Sequence, residues 1–490
     1  MNPLLVFFVV AAYFLILLII AWLTSRKADT DTFFIANRRS PWYLVAFAMI
    51  GATISGVTFI SVPGEVGNSS FAYLQFVMGN VAGYWLVAGF LLPVYYRLNL
   101  ISIYTYLGKR FGSRSHKTGS FFFILSKLVG AAFRLYLAAS VLQLAFFDAF
   151  NIPFTVTVII SILLIWVYTH KGGVKTIIWT DSLQTLFLVG AVLFTIVIIS
   201  RTLDWDFPEM SREIAASPLS DIFTWDWRSG NNFFKQFFAG VFMTLVIVGM
   251  DQDSMQKNLT CKSLSEARKN MLVFSLAFIV TVFLFLCLGA LLYLYAGKLD
   301  LQLPANSDDV YPWIAFNKLG IAVGVSFLVG VIAAAYSSAD SALTSLTTTL
   351  SIDFFRADNL PEEKRIKIKK YAHLAFSALL ALIILLFRAL NDKSVVQAVF
   401  TAAGYTYGPI LGLFLFGLLT KRKVIDKWVP LIALTAPLLS WFIAAHSEQL
   451  LWGYRFGFEI LILNGALMMA GLLIISKKNK SCSVLFCSNC

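Results

Sequence analysis

The chain has 490 residues, of which 59% are hydrophobic and only 13% are charged. A water-soluble protein of this length needs far more polar surface, so the composition excludes the soluble classes and predicts a polytopic, all-α membrane protein. The net charge of +13 does not require a nucleic-acid partner. Basic loops on one side of a membrane and attraction to anionic lipid account for it, so we expect the lipid bilayer as its surroundings.

The apolar runs predict about thirteen membrane-spanning helices. They lie near residues 4–24, 43–66, 71–95, 119–149, 153–169, 176–200, 232–252, 271–296, 318–350, 371–390, 395–419, 428–445 and 457–476. An odd number of spans places the two termini on opposite sides. Lysine and arginine concentrate in alternate connections, so the positive-inside rule predicts an external amino terminus and a cytoplasmic carboxyl terminus. The short connections favour a bacterial inner membrane.

One apolar run, AAAYSSADSALTSLTTTL at residues 333–350, carries a column of hydroxyl groups. In a helix, spacings of three and four place these residues on one face, with Asp340 at its edge. The members of this face are Ala334, Ser337, Ser338, Ser341, Thr344, Ser345 and Thr348. Small and hydroxyl residues also serve helix packing. An ionisable side chain at membrane depth is costly, however, so Asp340 favours a cation site built from hard oxygen ligands.

Two spans are predicted to be broken. LVAFAMIGATISGVTFISVPGEVG, the second, contains a cluster of glycine and proline around Gly51 and Ser55, and unwound carbonyls from Gly51 to Ile54 can coordinate a cation. An ordinary kink is the alternative. VVQAVFTAAGYTYGPILGLFLFGLLTKRK is interrupted between Gly404 and Pro409. Broken spans in both halves of a chain indicate a secondary transporter with inverted repeats.

Polar side chains interrupt three further spans. Arg134 lies near the centre of SFFFILSKLVGAAFRLYLAASVLQLAFF, and a guanidinium there needs the carboxylate of a solute or of the protein. Asp181 lies about two turns inside its helix. Together with Asp340 it can form a cation site or take up a proton. Gln75 also lies in apolar surroundings.

Four motifs together resemble the sodium/solute symporter family, whose members include sodium/proline, sodium/galactose and sodium/sialic acid symporters. The motifs are GGVKTIIWTDSLQ, GMDQDSMQKNL, AAAYSSADSALTSLTTT and YTYGPILGLFLFG. The resemblance covers about residues 4–425 and implies a LeuT-type fold in a single transmembrane domain. It divides the chain into a leading helix and loop (1–42), two inverted five-helix repeats (43–200 and 232–425), extra helices (426–476) and a cytoplasmic tail (477–490).

The same resemblance implies site residues and one or two sodium ions. The common sodium site would use backbone oxygens of Gly51, Ile54 and Ala334 and hydroxyls of Ser337 and Ser338, with Asp181 in support. A second site would use Asp181, Ser337 and Ser341. Asp340 stands where the sialic acid branch has serine, which leaves sodium and proton coupling open. The solute would contact Ser55, Thr58, Gln75 and Arg134. The functional unit is expected to be a monomer.

These observations predict a sodium-driven symporter, not an enzyme, that imports an organic anion such as a sialic acid or a monocarboxylate by alternating access. A sodium-coupled carrier of a neutral sugar or polyol is the alternative, in which Arg134 pairs with a protein acid. An intramembrane aspartyl protease using Asp181 and Asp340 is disfavoured because a GxGD-type motif is absent from the sequence. A channel is disfavoured because it needs no solute cavity containing an arginine.

Overall fold

The computed structural model describes residues 3–26, 30–170, 172–390, 395–451, 453–454 and 456–477. The first eleven helices are α1 Pro3–Ser25, α2 Thr30–Ile35, α3 Trp42–Thr53, α4 Gly56–Ser69, α5 Tyr73–Leu86, α6 Leu92–Arg97, α7 Thr105–Arg110, α8 Ser113–Ala145, α9 Phe154–Thr169, α10 Gly173–Thr202 and α11 Phe207–Ala216. The others are α12 Phe233–Thr244, α13 Gln252–Asn258, α14 Leu264–Lys298, α15 Ser307–Asn317, α16 Ile321–Thr349, α17 Glu362–Leu390, α18 Val395–Thr406, α19 Gly408–Leu419, α20 Val429–Ala445, α21 Ser447–Leu450 and α22 Ile460–Ile474. The strands β1 Lys423–Val424 and β2 Ser476–Lys477 pair antiparallel. The protein is therefore helical over nearly all of its described length.

Membrane-spanning segments account for most of these helices. Within the described ranges, eight helices are long and apolar enough to cross a membrane, or up to ten if each of two sharply bent pairs is one span. α9, α19 and α22 are shorter apolar helices. Each predicted span overlaps at least one of these helices. The total of thirteen crossings and the orientation of the termini stay predictions.

The first bent pair is α3 and α4, which meet at an angle of 59°. The helical path ends at Ile54, whose ψ angle of 94° is extended, and restarts after Ser55. The Ser55 hydroxyl accepts a hydrogen bond from the Thr58 amide at 3.4 Å and so caps α4. The predicted break in this span is therefore confirmed.

The second bent pair was not predicted as a break. α12 continues as a π-helical turn, Leu245–Gly249, and α13 then leaves at 68°. Asp251 caps α13 by accepting a hydrogen bond from the Asp253 amide at 2.9 Å. The break predicted between Gly404 and Pro409 lies at Tyr407, between α18 and α19. Bent pairs therefore open both halves of the predicted inverted repeat, a division that stays a prediction.

α16 is the buried centre of the helical assembly. Every residue from Gly330 to Thr349 is buried, and the helix packs against α3, α4, α8, α9, α10 and α17. Its hydroxyl face therefore meets other helices and not lipid.

α5 and α12 pack with their backbones in contact. A Cβ atom on Gly79 would collide with the Phe237 carbonyl, and one on Gly240 with the Phe76 carbonyl. Glycine at these two positions lets the backbones touch, as in small-residue packing of membrane helices.

Candidate cation and solute site

Asp181 of α10 joins α10 to the hydroxyl face of α16. Its Oδ1 accepts a hydrogen bond from Ser337 at 2.6 Å, and its Oδ2 accepts one from Ser341 at 3.2 Å. The Asp181 side chain is fully buried. The structure therefore brings together the three residues predicted for a second sodium site, which carry a carboxylate and two hydroxyls.

The counter-charge of Asp181 is Lys257, which sequence analysis did not assign to the site. Lys257 lies on α13, and its Nζ donates to Asp181 Oδ2 and to Ser341 Oγ, both at 2.7 Å. Its side chain is only 2% exposed. The bend between α12 and α13 directs this lysine inward, so an ammonium lies among the oxygens of the predicted second sodium site.

The residues predicted for the common sodium site belong to α16 and to the break between α3 and α4, and these two parts of the chain lie side by side. A Cβ atom on Gly56 would lie 3.4 Å from the Cβ of Ala335, which shows that the break abuts the α16 segment containing Ala334. Ser337 and Ser338 follow one turn later and are buried. Unwound carbonyls beside two hydroxyls match the oxygen chemistry that a small hard cation prefers, so these residues fit sodium.

Among the residues that the structure describes, the Asp340 carboxylate shares no hydrogen-bond partner with Asp181. Its Oδ2 accepts a hydrogen bond from Tyr168 of α9 at 2.8 Å, and the side chain is fully buried. Its Oδ1 has no hydrogen-bond partner among the described residues. The two carboxylates are therefore held by different partners, with no shared hydrogen bond.

Arg134 of α8 lines a cavity of about 70 Å³. The polar residues that line this cavity are Thr53, Ser126, Lys127, Arg134, Asp251, Asp253, Ser254, Lys257 and Tyr407. Arg134 Nη1 donates to Ser338 Oγ at 3.2 Å. Within the described part of the chain, no carboxylate lies within 4.0 Å of this guanidinium. The cavity therefore contains a guanidinium that no described carboxylate contacts directly, although Asp253 lies on the same cavity wall.

An ion cluster forms another wall of the cavity. Lys127 Nζ lies 2.6 Å from Asp253 Oδ2 and 3.3 Å from Asp251 Oδ1. The Tyr407 hydroxyl donates to Asp251 Oδ2 at 2.6 Å. The predicted span near residues 232–252 ends next to Asp251, and sequence analysis assigned neither Asp251 nor Lys257 to a site. The sequence does contain one signal for the bend between α12 and α13: Gly249 is followed by Asp251, a residue type that favours the N-cap of a new helix.

The other predicted solute residues lie outside the cavity wall. Gln75 is fully buried, and its amide nitrogen donates to the carbonyls of Ala72 and Asn231 at 3.2 and 3.0 Å. Its Oε1 accepts from the Thr224 amide at 3.2 Å. Gln75 thus fastens the loop before α12 to the start of α5. Ser55 and Thr58 bond to each other at the α4 cap, so their contact with solute stays a prediction.

Comparison with known proteins identifies the family of this chain. The model of the sodium:solute symporter family matches residues 33–425. The sodium/sialic acid symporter NanT of Aliivibrio fischeri is 25% identical over 410 residues, which cover 82% of this chain and 80% of that protein. The sodium/sialic acid symporter SiaT of Proteus mirabilis is 26% identical over 418 residues, covering 83% and 82%.

A solved structure shows the same fold. It is a substrate-bound, outward-open state of a Na⁺-coupled sialic acid symporter, and it matches with a TM-score of 0.82 at 20% sequence identity. The match covers 97% of this chain and 99% of that one. The fold is thus that of a helical membrane transporter with LeuT-type neighbours. Because the family model spans most of the chain, the conclusion is direct: the chain belongs to the sodium:solute symporter family, whose members are sodium-coupled transporters and not enzymes.

Proposed function

We propose that this sodium-coupled symporter imports a small organic anion, such as a sialic acid or a short monocarboxylate, across a bacterial inner membrane by alternating access. The observation that carries the proposal is Arg134, a guanidinium on a cavity wall with no described carboxylate within 4.0 Å. The relatives named for sialic acid transport support the choice of an acid.

The charges around the cavity single out Arg134. Lys127 lies between the carboxylates of Asp251 and Asp253, and Lys257 pairs with Asp181. Two ammonium groups therefore face three carboxylates, and Arg134 balances the third negative charge without a described carboxylate within 4.0 Å. Arg134 instead donates to a neutral hydroxyl, that of Ser338. A guanidinium at membrane depth is costly without a counter-ion, and its planar fork matches a carboxylate with two parallel hydrogen bonds. A solute carboxylate would supply the direct partner that the described carboxylates do not.

Ser338 connects the solute site to the sodium site. It is a proposed sodium ligand, and its Oγ accepts the hydrogen bond from Arg134 at 3.2 Å. When the Ser338 oxygen turns a lone pair to sodium, it becomes a weaker acceptor for Arg134, which is then freer to bind a carboxylate. The proposed sodium ligands Gly51, Ile54, Ala334, Ser337 and Ser338 thereby couple the two sites, and this coupling is reciprocal.

Alternating access requires the walls of the cavity to move. Sites for small molecules usually measure about 300–1,000 Å³, whereas this cavity measures about 70 Å³. The two bent pairs contribute to its wall, through Thr53 at the end of α3 and through Asp251 and Asp253 at the start of α13. Movement at these bends would widen the cavity for a solute. A single chain contains all proposed ligands, which supports a monomeric functional unit.

The alternative solute, a neutral sugar or polyol, requires Arg134 to be paired inside the protein. Asp253 shares the cavity with Arg134, but no described carboxylate lies within 4.0 Å of the guanidinium. We therefore favour the organic anion.

Uptake into proteoliposomes tests the proposal. Radiolabelled sialic acid, short monocarboxylates and hexoses are each supplied with and without an inward sodium gradient. We expect sodium-dependent uptake of an acid by the wild type. Arg134→Ala should lose it, because truncating a buried, hydrogen-bonded charge pair costs about 2–5 kcal/mol. Arg134→Lys should retain part of it, because the charge remains while the fork is lost.

Ser126→Ala is the matched control for Arg134→Ala. Ser126 lines the same cavity, but its hydroxyl donates to its own helix, at the Phe122 carbonyl. This variant should transport the acid normally. Sodium-dependent uptake of a hexose, with an Arg134→Ala variant that still transports it, would overturn the organic-anion assignment and leave sodium coupling in place.

A further inference from the structure

We propose that Lys257 acts as a tethered cation that fills the second cation position, formed by Asp181, Ser337 and Ser341, so that the protein binds one sodium ion and not two. The inference rests on the proposed assignment of the sodium ligands. It concerns the number of ions, whereas the proposed function concerns the solute.

The contacts of the Lys257 ammonium are those expected of a bound cation. Its Nζ lies 2.7 Å from Asp181 Oδ2 and 2.7 Å from Ser341 Oγ, and Asp253 Oδ1 lies 4.0 Å away. An ammonium has three donors and no acceptor, so it uses oxygen ligands in the same way as a small metal ion. The charge of Asp181 is therefore already balanced by the chain.

The remaining oxygens do not complete a second sodium site. Ser337 donates its proton to Asp181 Oδ1 at 2.6 Å, which occupies the other carboxylate oxygen. Asp340 gives one oxygen to Tyr168 and has one oxygen without a described partner. A sodium ion at this position would meet Asp181 and Ser341 oxygens that already have hydrogen-bond partners, and a buried ammonium of like charge. Like charges at contact distance repel strongly where water is excluded.

The common sodium site is not blocked in the same way. Its ligands are the unwound carbonyls near Gly51 and Ile54 and the carbonyl of Ala334, with hydroxyls from α16. Lys257 donates to Asp181 and Ser341, and no described hydrogen bond joins it to Ser337 or Ser338. One ion position is therefore open and the other is filled from within. With a monovalent organic anion, transport of one sodium ion per solute would move no net charge.

Sodium binding to the purified full-length protein, measured without solute, tests the inference. Equilibrium binding of ²²Na⁺ gives the number of ions, and sodium titration of tryptophan fluorescence, with choline as the replacing cation, gives the Hill coefficient. We expect one ion per protein and a Hill coefficient of about 1, because this coefficient does not exceed the number of sites. Two ions bound to the wild type would overturn the inference.

Two variants sharpen the test. Lys257→Met removes the ammonium and keeps a side chain of similar length, so a second ion should bind and the Hill coefficient should rise toward about 2. Lys257→Arg keeps a cation and should bind one ion. A folded Lys257→Met protein that binds only one ion would also overturn the inference. If that variant does not fold, the wild-type stoichiometry decides the question.

The solute assignment does not enter this measurement. A wrong organic-anion assignment would appear only in the uptake experiment with Arg134→Ala, and it would leave the number of bound sodium ions unchanged. Conversely, a wild type that binds two ions would leave the role of Arg134 intact.

Discussion

The two bent helix pairs are both broken spans, but the residues at the two breaks differ in charge. Between α3 and α4, the residues at the break are Ile54 and Ser55, and the α4 cap is a hydroxyl. Between α12 and α13, the break leads directly into Asp251, Asp253 and Lys257, which all form buried ion pairs. The first break is thus uncharged, and the second supplies fixed charges to the cavity. Substitutions at the two breaks should therefore differ in size and in kind.

The largest effect is expected at the charged break. Lys127→Met leaves Asp251 and Asp253 without their shared counter-ion, which lies 3.3 and 2.6 Å from them. Removing one partner of a buried ion pair typically costs about 3–5 kcal/mol, because it leaves an uncompensated charge. The midpoint of thermal unfolding of the detergent-purified protein should fall sharply.

Lys117→Met is the control for this substitution. Lys117 lies on the same helix, is exposed and has no ion pair among the described residues. Its variant should unfold at nearly the wild-type temperature. Equal midpoints for the Lys127 and Lys117 variants would show that the charged break is not held by its ion cluster.

A smaller effect is expected at the uncharged break, where packing is the limiting factor. A Cβ atom on Gly51 would collide with the Thr185 hydroxyl, which itself donates to the Phe47 and Asp181 carbonyls at 2.9 and 2.8 Å. Gly51→Ala should therefore cost about 1–3 kcal/mol, as overpacking does, and should lower the thermal midpoint.

Gly190→Ala is the control for Gly51→Ala. Gly190 is on α10, as Thr185 is, and a Cβ atom there would meet no atom within 4 Å. This variant should be neutral or slightly stabilising, because alanine favours the helix. In a double-mutant cycle, Thr185→Ala should reduce the cost of Gly51→Ala. Additive costs would show that the two helices do not touch at this point.

The smallest effect is expected at the α4 cap. The Ser55 hydroxyl accepts from the Thr58 amide at 3.4 Å, which is long for a hydrogen bond. Ser55→Ala should therefore cost about 0.5–1 kcal/mol, the low end for loss of a cap. Thermal unfolding measures this cost, and the KM for solute in the same variant tests the predicted contact between Ser55 and the solute. A stability loss as large as that of Lys127→Met would contradict the comparison.

Sequence alone predicted the features that depend on local pattern. The hydroxyl face of α16 follows from helical spacing, and the break at Ile54 follows from a cluster of glycine, serine and proline. Asp181 and Arg134 were recognised because single charges inside apolar runs are conspicuous. Each of these predictions needed only residues within one helix.

Sequence could not predict the partners of those residues. Lys257 and its partner Asp181 are 76 residues apart in the sequence, and Lys127 and Asp251 are 124 residues apart. The apolar run ends near residue 252, so the predicted span stopped where the residues of α13 begin. The bend of 68° turns these residues inward, and no hydropathy pattern reports the direction of a bend. Asp340 accepts a hydrogen bond from Tyr168 on another helix, a contact that helical spacing could not predict, and its part in a cation site stays a prediction.

The contact between α5 and α12 has a consequence for how the protein moves. Carbonyl groups of each helix touch a glycine of the other at Gly79 and Gly240, and Gln75 fastens the connecting loop across them. Two helices whose backbones touch at two points cannot slide past each other without losing both contacts. We therefore expect α5 and α12 to move as one rigid body. Conformational change during transport would then occur at the π-helical turn and at the bend that follow α12.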